Sequence, residues 1–389
     1  MNKAFTNITV AHMADYGSPY GGNFIVSLIH LYQECQKHNV RMVFIFPERA
    51  RSRPWCQALI KDGYRIYFLP ESKKLLSKIL LVSRIASEED VRILHTHFSA
   101  FDVLAWLVGV AMRLRLKRIL VIWHEHSDWP MRMNLLRVLK VFIKYRCMGA
   151  SVFSISVGDH LRERVKKSGV PSTRAITVGN GIDLKRAVEK SRLRAEVLDL
   201  LNISSDKTVL LMFGWSPAIK GVDVALGAVL ETRTRSQDQD IVLVIVGREV
   251  LHQYVQEYFH GDIPEWVRII PPTELPADYY QCADVFISPS RNEGFSYSVC
   301  EAMVNECPVI VSDIPGLSWT RSFRGVKAFS SEDSRSLSDT IVGVLSLSKE
   351  ERVQLVSDNK NAVTSKYDVA GWSESIVKAY QQWMRLSAG

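Results

Sequence analysis

The strongest constraint on the fold of this chain is a rhythm held along almost its whole length. Short runs rich in Val, Ile and Leu alternate with longer amphipathic runs. In the first half the expected strands are Ile8–Met13, Arg41–Phe46, Arg65–Leu69, Arg92–Thr96, Ile119–Trp123, Ser151–Ile155 and Ala175–Val178. Helical patterns such as Asn23–Lys37 and Phe101–Leu114 fall between them. The second half repeats the rhythm with Val209–Phe213, Ile241–Val246, Val267–Ile270, Val285–Ser288 and Val309–Val311. A strand that is apolar at successive positions has helices on both faces, which is the mark of a buried parallel sheet. Strand–helix alternation then implies right-handed crossovers and an α/β fold. Two such blocks in series imply two Rossmann-like, doubly wound parallel-sheet domains.

A length of 389 residues accommodates both. The boundary is expected near Asp183–Leu198, where the turn Gly179-Asn180-Gly181 is followed by the charged connector Lys185–Lys190. That places one domain at residues 1–187 and the other at 188–368. The last segment, about 369–389, is amphipathic, carries Trp372 and Trp383, and is expected to pack back on the first domain.

The longest apolar stretch, Val103–Met112, ends at Arg113 and is far shorter than the ~20 residues of a spanning helix. The opening run MNKAFTNITVAHMADYG turns polar too early for a secretory signal, so none is expected. Cysteines at 35, 56, 147, 282, 300 and 307 are scattered, without the spacing of a zinc site, and read as reduced thiols. The expected location is cytoplasmic, free or peripheral on the inner face of the membrane. Charge is unevenly divided: residues 1–190 carry 30 Lys and Arg against 15 Asp and Glu, whereas the remainder carries 19 against 26. A basic half implies an anionic partner. The segment Met131–Cys147, with Arg132, Arg137, Lys140, Lys144 and Arg146 among Leu, Val and Phe, suits an anionic bilayer. It equally suits a crossover helix with a solvated basic edge. No aromatic-interleaved pattern supports nucleic acid.

Chemistry concentrates after the strand ending at Ser288. The run Pro289-Ser290-Arg291-Asn292-Glu293-Gly294-Phe295-Ser296-Tyr297-Ser298-Val299-Cys300-Glu301 occupies the carboxyl end of a parallel strand, where open α/β sheets bind ligands. Backbone N–H groups from Gly294 to Ser298 open a helix and suit a diphosphate oxygen. Glu301, about two turns inside, suits a ribose diol. A second run, Phe213-Gly214-Trp215-Ser216-Pro217-Ala218-Ile219-Lys220-Gly221-Val222-Asp223, ends a strand at Gly214 and places Lys220 before a helix. An ammonium there offers charge-assisted hydrogen bonds to a leaving diphosphate.

These residues resemble the retaining, GT-B-fold glycosyltransferases of family 4. Glu293 and Glu301 match the family's E-x7-E motif, Lys220–Asp223 its K-G-x-D segment, and Asn180–Asp183 its N-G-[IV]-D turn. Gly21 and Gly22 match the glycine pair that approaches the donor phosphate. Leu94-His95-Thr96-His97 matches the segment whose second histidine lies beside the donor sugar, and His124 matches the histidine after the fifth strand. The resemblance implies two domains facing across a cleft, with a nucleotide-diphospho-sugar (UDP-, GDP- or ADP-linked) held mainly by the second. It implies same-face attack by a glycan, lipid-linked or protein-linked acceptor in surface polysaccharide, glycolipid or glycoprotein assembly. Lys220, Glu293 and His97 take the catalytic places. Gly214, Arg291, Phe295, Ser296 and Tyr297 join the donor site, while His124, Glu125 and His126 are assigned to acceptor contacts. No D-x-D motif is positioned to hold a metal, so neither a metal nor another cofactor is expected. Trp215 stands where the family usually has an arginine on the diphosphate, so either Arg248 or Arg291 replaces it or the leaving group relies on Lys220 and the helix N-terminus. That departure keeps open a non-catalytic partner subunit or acceptor-binding protein on the same fold.

Overall fold

A computed structural model describes residues 7–72, 74–129, 134–235 and 240–388. The chain divides into two compact units, Met1–Gly181 with Val369–Gly389, and Ile182–Asp368. The division therefore falls after Gly181, whereas the charged connector had placed it after residue 187. Ile182 forms a parallel bridge with Asp368, and its N–H donates to the Tyr367 carbonyl at 2.7 Å. Asp183 caps the short helix Leu184–Ala187, whose final carbonyl accepts from Asn305 Nδ2 at 2.7 Å. Backbone pairing thus assigns these residues to the second unit.

The first unit carries β1 (Thr9–Ala14), β2 (Arg41–Pro47), β3 (Ile66–Leu69), β4 (Val91–His97), β5 (Leu120–Glu125), β6 (Phe153–Ser156) and β7 (Ala175–Thr177). They form one parallel sheet in the order β3-β2-β1-β4-β5-β6-β7. Helix Val369–Ala388 closes one face. Trp372, Ile376, Tyr380 and Trp383 recur at helical spacing, and all are buried with the helix Gly22–Lys37 against the sheet.

The second unit carries β8 (Thr208–Phe213), β9 (Ile241–Val246), β10 (Val267–Ile270), β11 (Val285–Ser288), β12 (Val309–Ser312) and β13 (Val326–Phe329). Their order is β10-β9-β8-β11-β12-β13, again parallel. Strand β13, absent from the sequence expectation, lies at the sheet edge with Lys327 and Ala328 exposed. Its side chains therefore lack the continuous apolar run of a central strand. Both sheets reverse direction of growth once, between β1 and β4 and between β8 and β11. Such a switch point opens a crevice at the strands' carboxyl ends. Among the described residues no helix is long and apolar enough to cross a membrane.

Candidate active site

In the second unit the loops after β8 and β11 meet at the switch point. The Gly214 N–H continues the ladder to Val246 O at 2.8 Å, and the turn Pro217–Lys220 then carries the lysine. Gly221 has φ +66°, and a Cβ there would collide with the Pro289 carbonyl, so the two loops touch backbone to backbone. The Arg291 N–H donates to Ile219 O at 2.8 Å. Its guanidinium donates to both Asp223 oxygens at 2.8 and 2.6 Å, to Ala218 O at 2.6 Å and to Glu332 at 3.1 Å. Burial alone would raise the Asp223 carboxyl, but the Arg291 hydrogen bonds outweigh it and hold the pKa below its ordinary value. The aspartate of the K-G-x-D segment is thus a clamp between loops. Arg291, expected on the diphosphate, is held by that clamp. Arg248 stands exposed directly after β9 and Gly247.

Lys220 Nζ lies 2.5 Å from Glu293 Oε1, and Ser290 Oγ donates to the same oxygen at 2.9 Å. The two charged side chains are 11% and 9% exposed, so the pair is largely shielded from water. Nζ also lies 4.8 Å from the Trp215 ring centroid, within cation–π range. Trp215 is 45% exposed and rests on Phe213. Gly316 supports this loop from beneath, where a Cβ would strike the Glu293 carbonyl.

Glu301 is 5% exposed on the helix Tyr297–Val304. The Tyr280 hydroxyl, which donates to Ser298 O at 2.9 Å, lies 3.1 Å from Glu301 Oε2. Arg186 approaches the other oxygen at 3.6 Å. No side chain caps this helix at Ser296, whereas Asn134, Asp333 and Ser348 cap theirs. Gly294, Ser296 and Ser298 are buried around that start, and the two serine hydroxyls lie 3.0 Å apart. Phe295 turns inward and stacks on Trp319 at 4.8 Å, so its side chain is structural. Tyr297 is half-buried beside it.

In the first unit Gly21 and Gly22 open the helix after β1. Register places His12 beside His95 and His97 beside His124 on adjacent strands. Side chains two residues apart share a strand face. His12, His95, His97, His124 and His126 therefore gather in one layer. His97 joins His12 Nδ1 through Nε2 at 3.0 Å and His126 Nε2 through Nδ1 at 2.9 Å. His95 Nε2 lies 3.1 Å from His124 Nδ1, and Tyr380 bridges His95 Nδ1 and His12 Nε2 at 2.5 and 3.2 Å. Burial holds all five imidazoles neutral, pushing His12 and His126 down to about 3 and the others well below the usual range. The expected sugar contact, His97, is 1% exposed with both nitrogens engaged inside the unit. Half-buried His126 stands nearer the surface. Glu125, expected with the histidines, alternates to the opposite face. There it accepts from Tyr145 at 2.6 Å and Arg164 at 3.1 Å. Arg186, Tyr280, Ser290, Gly316 and Tyr380 carry no motif of their own. The repeated H-x-H at 95/97 and 124/126 was the one visible sign of the histidine layer.

The family model described as Glycosyltransferase Family 4 matches residues 24–186, and that described as Glycosyl transferases group 1 matches residues 207–347. The chain is 30% identical over 172 residues to a D-inositol 3-phosphate glycosyltransferase of Geodermatophilus obscurus, covering 42% of this chain and 38% of that protein. The namesake from Corynebacterium diphtheriae is 31% identical over 125 residues, 30% of this chain and 29% of its own. The aligned stretch thus spans well under half the length of these relatives. Among solved structures, a glycosyltransferase from Rickettsia africae superposes with a TM-score of 0.79 at 14% identity, covering 97% of this chain and 98% of its own. Anabaena HepE in complex with UDP and glucose superposes with a TM-score of 0.76 at 13% identity, covering 96% and 100%. The two matched segments, the two parallel sheets and these neighbours agree: the chain belongs to the group 1, family 4 glycosyltransferases and has the GT-B fold.

Proposed function

We propose that the chain is a retaining hexosyltransferase that takes its sugar from a nucleotide-diphospho-sugar. The observation that carries this reading is the pairing of Lys220 with Glu293 at the β8/β11 switch point, with Glu301 on the helix that follows. Departure of a nucleoside diphosphate develops negative charge, and preorganised donors are usually the largest catalytic contribution there. Lys220 and the backbone N–H groups at Gly294–Ser298 supply them. Glu293 holds sugar hydroxyls, and Glu301 accepts from the ribose. His97 acts as a positioning residue behind His126. The acceptor oxygen attacks C1 from the leaving-group side, the bond from C1 to the diphosphate oxygen breaks, and that oxygen takes the acceptor's proton. No metal is assigned to the diphosphate, so turnover without added Mg2+ or Mn2+ should equal turnover with them. Product anomeric configuration, read by NMR, tests retention.

The donor class is supported by a neighbour solved with UDP and glucose and by relatives named as glycosyltransferases. The acceptor is proposed to be a glycan, lipid-linked or protein-linked hydroxyl. Within the basic segment Met131–Cys147, residues to 133, Arg132 included, lie outside the described residues. The helix Leu135–Ile143 that follows buries none of its residues. It exposes Leu135, Leu136, Leu139, Phe142 and Ile143 beside Arg137 and Lys140. An apolar face edged by cations supports peripheral attachment to an anionic bilayer. A second reading, a non-catalytic partner on the same fold, draws on Trp215. Sugar-nucleotide turnover by the purified chain, abolished in Glu301→Ala and Lys220→Ala, separates the two.

A further inference from the structure

We infer that the first unit binds one divalent transition-metal ion, of the Zn2+ class, between His97, His124 and His126. The site shares His97 with the proposed transfer reaction, but the donor contacts rest on the second unit and the test below reads metal binding alone. One nitrogen from each of these imidazoles lies within 4.8 Å of the other two. Zinc–nitrogen bonds of about 2.0–2.1 Å in tetrahedral geometry set ligand nitrogens about 3.4 Å apart. Modest ring rotations therefore bring the three to bonding distance. His124 Nε2 is fully buried yet has no hydrogen-bond partner. An unsatisfied buried polar atom is destabilising, and a metal would satisfy it.

The layer behind the three ligands is already arranged as a supporting shell. His12 holds His97 through Nε2, and His95 holds His124 through Nδ1. Those are the ring nitrogens left over when His97 binds through Nδ1 and His124 through Nε2. Fixing the distal nitrogen orients a metal-bound imidazole and sets its tautomer. Tyr380 joins the two supports.

His12, His95 and His97 also lie close enough to share an ion. In that trio both nitrogens of every ring already have partners, and all three rings are 1% exposed or less. The trio with His126 has both the unpartnered nitrogen and a half-buried member through which an ion can enter. An all-imidazole set excludes the oxygen-seeking Mg2+ and Ca2+ and suits Zn2+, Co2+ or Ni2+. Three ligands leave a fourth position for water or a hydroxyl of a bound molecule.

The test uses the full-length, tag-free chain stripped of metal and titrated with Co2+, then Zn2+. The expected result is one Co2+ per chain with the intense visible absorption of a tetrahedral site, displaced by Zn2+. His126→Gln, at a half-buried position, should abolish the band while circular dichroism stays unchanged. Tyr380→Phe keeps all three ligands and both supporting imidazoles, and should weaken binding by less than the ~10- to 100-fold that follows loss of a group bonded directly to a ligand. Absence of the band in the wild-type chain overturns the inference. So does an undiminished band in His126→Gln, and so does loss in His12→Gln combined with retention in His126→Gln.

Discussion

Lys220 and Glu293 neutralise one another at 2.5 Å, in surroundings that leave about a tenth of each exposed. Removing one partner of such a pair strands the other charge in a poorly solvated place. Lys220→Ala should therefore destabilise more than Lys220→Ala combined with Glu293→Ala, a coupling that a urea-unfolding double-mutant cycle reads directly. Trp215 contributes a ring face to Lys220 where the family usually offers a second cation. Trp215→Arg should tighten nucleoside diphosphate binding by about tenfold, matching the worth of one charge-assisted hydrogen bond. Calorimetry would measure it. Asp223 supplies the pH-dependent case. Its carboxyl is held below the ordinary value of 3.8, so its contribution is complete above that value and disappears as pH falls through the folded-state pKa. The gap in Tm between wild type and Asp223→Asn should be widest near neutral pH and close as pH drops below about 4. The roles of Arg291 and Asp223 show where motif reading stops. Spacing placed Arg291 beside the donor loop, but its charge is absorbed by Asp223, which lies 68 positions away.

At the scale of elements, the strands of both sheets were legible because central parallel strands need apolar residues on both faces. β13 was not, since an edge strand with exposed Lys327 and Ala328 carries no such signature. The histidine layer was legible only as isolated H-x-H pairs. Its closure depends on His12 beside His95 across the β1–β4 register, and on Tyr380, which lies 285 positions from His95. No local pattern encodes such partners. Helix Val369–Ala388 anchors that closure through fully buried Trp383, packed on Phe153 at 4.8 Å. Trp383→Ala should destabilise the chain by about 3–5 kcal/mol, the range for emptying a large aromatic site. The helix Leu135–Ile143 is the opposite case, because none of its residues is fully buried, although Val141 packs against the core. Leu135→Glu with Leu139→Glu should leave Tm within about 1–2 °C of wild type, since exposed substitutions rarely exceed 0.5 kcal/mol. The same pair should abolish sedimentation with anionic vesicles.

Across the whole molecule, two parallel sheets each present a switch point, and the sequence's charge is divided between a basic first half and an acidic second half. The second unit pairs the Lys220 ammonium with Glu293 after β8 and β11, and carries buried Glu301 on the helix Tyr297–Val304, whose start has no side-chain cap. The account stands on that assembly receiving an activated sugar's diphosphate. Titration calorimetry of the purified chain with UDP, GDP and ADP tests it most directly. Heat with one of the three, lost in Lys220→Ala and in Glu301→Ala, is the predicted result. No heat with any of them, or equal heat in both variants, would contradict it.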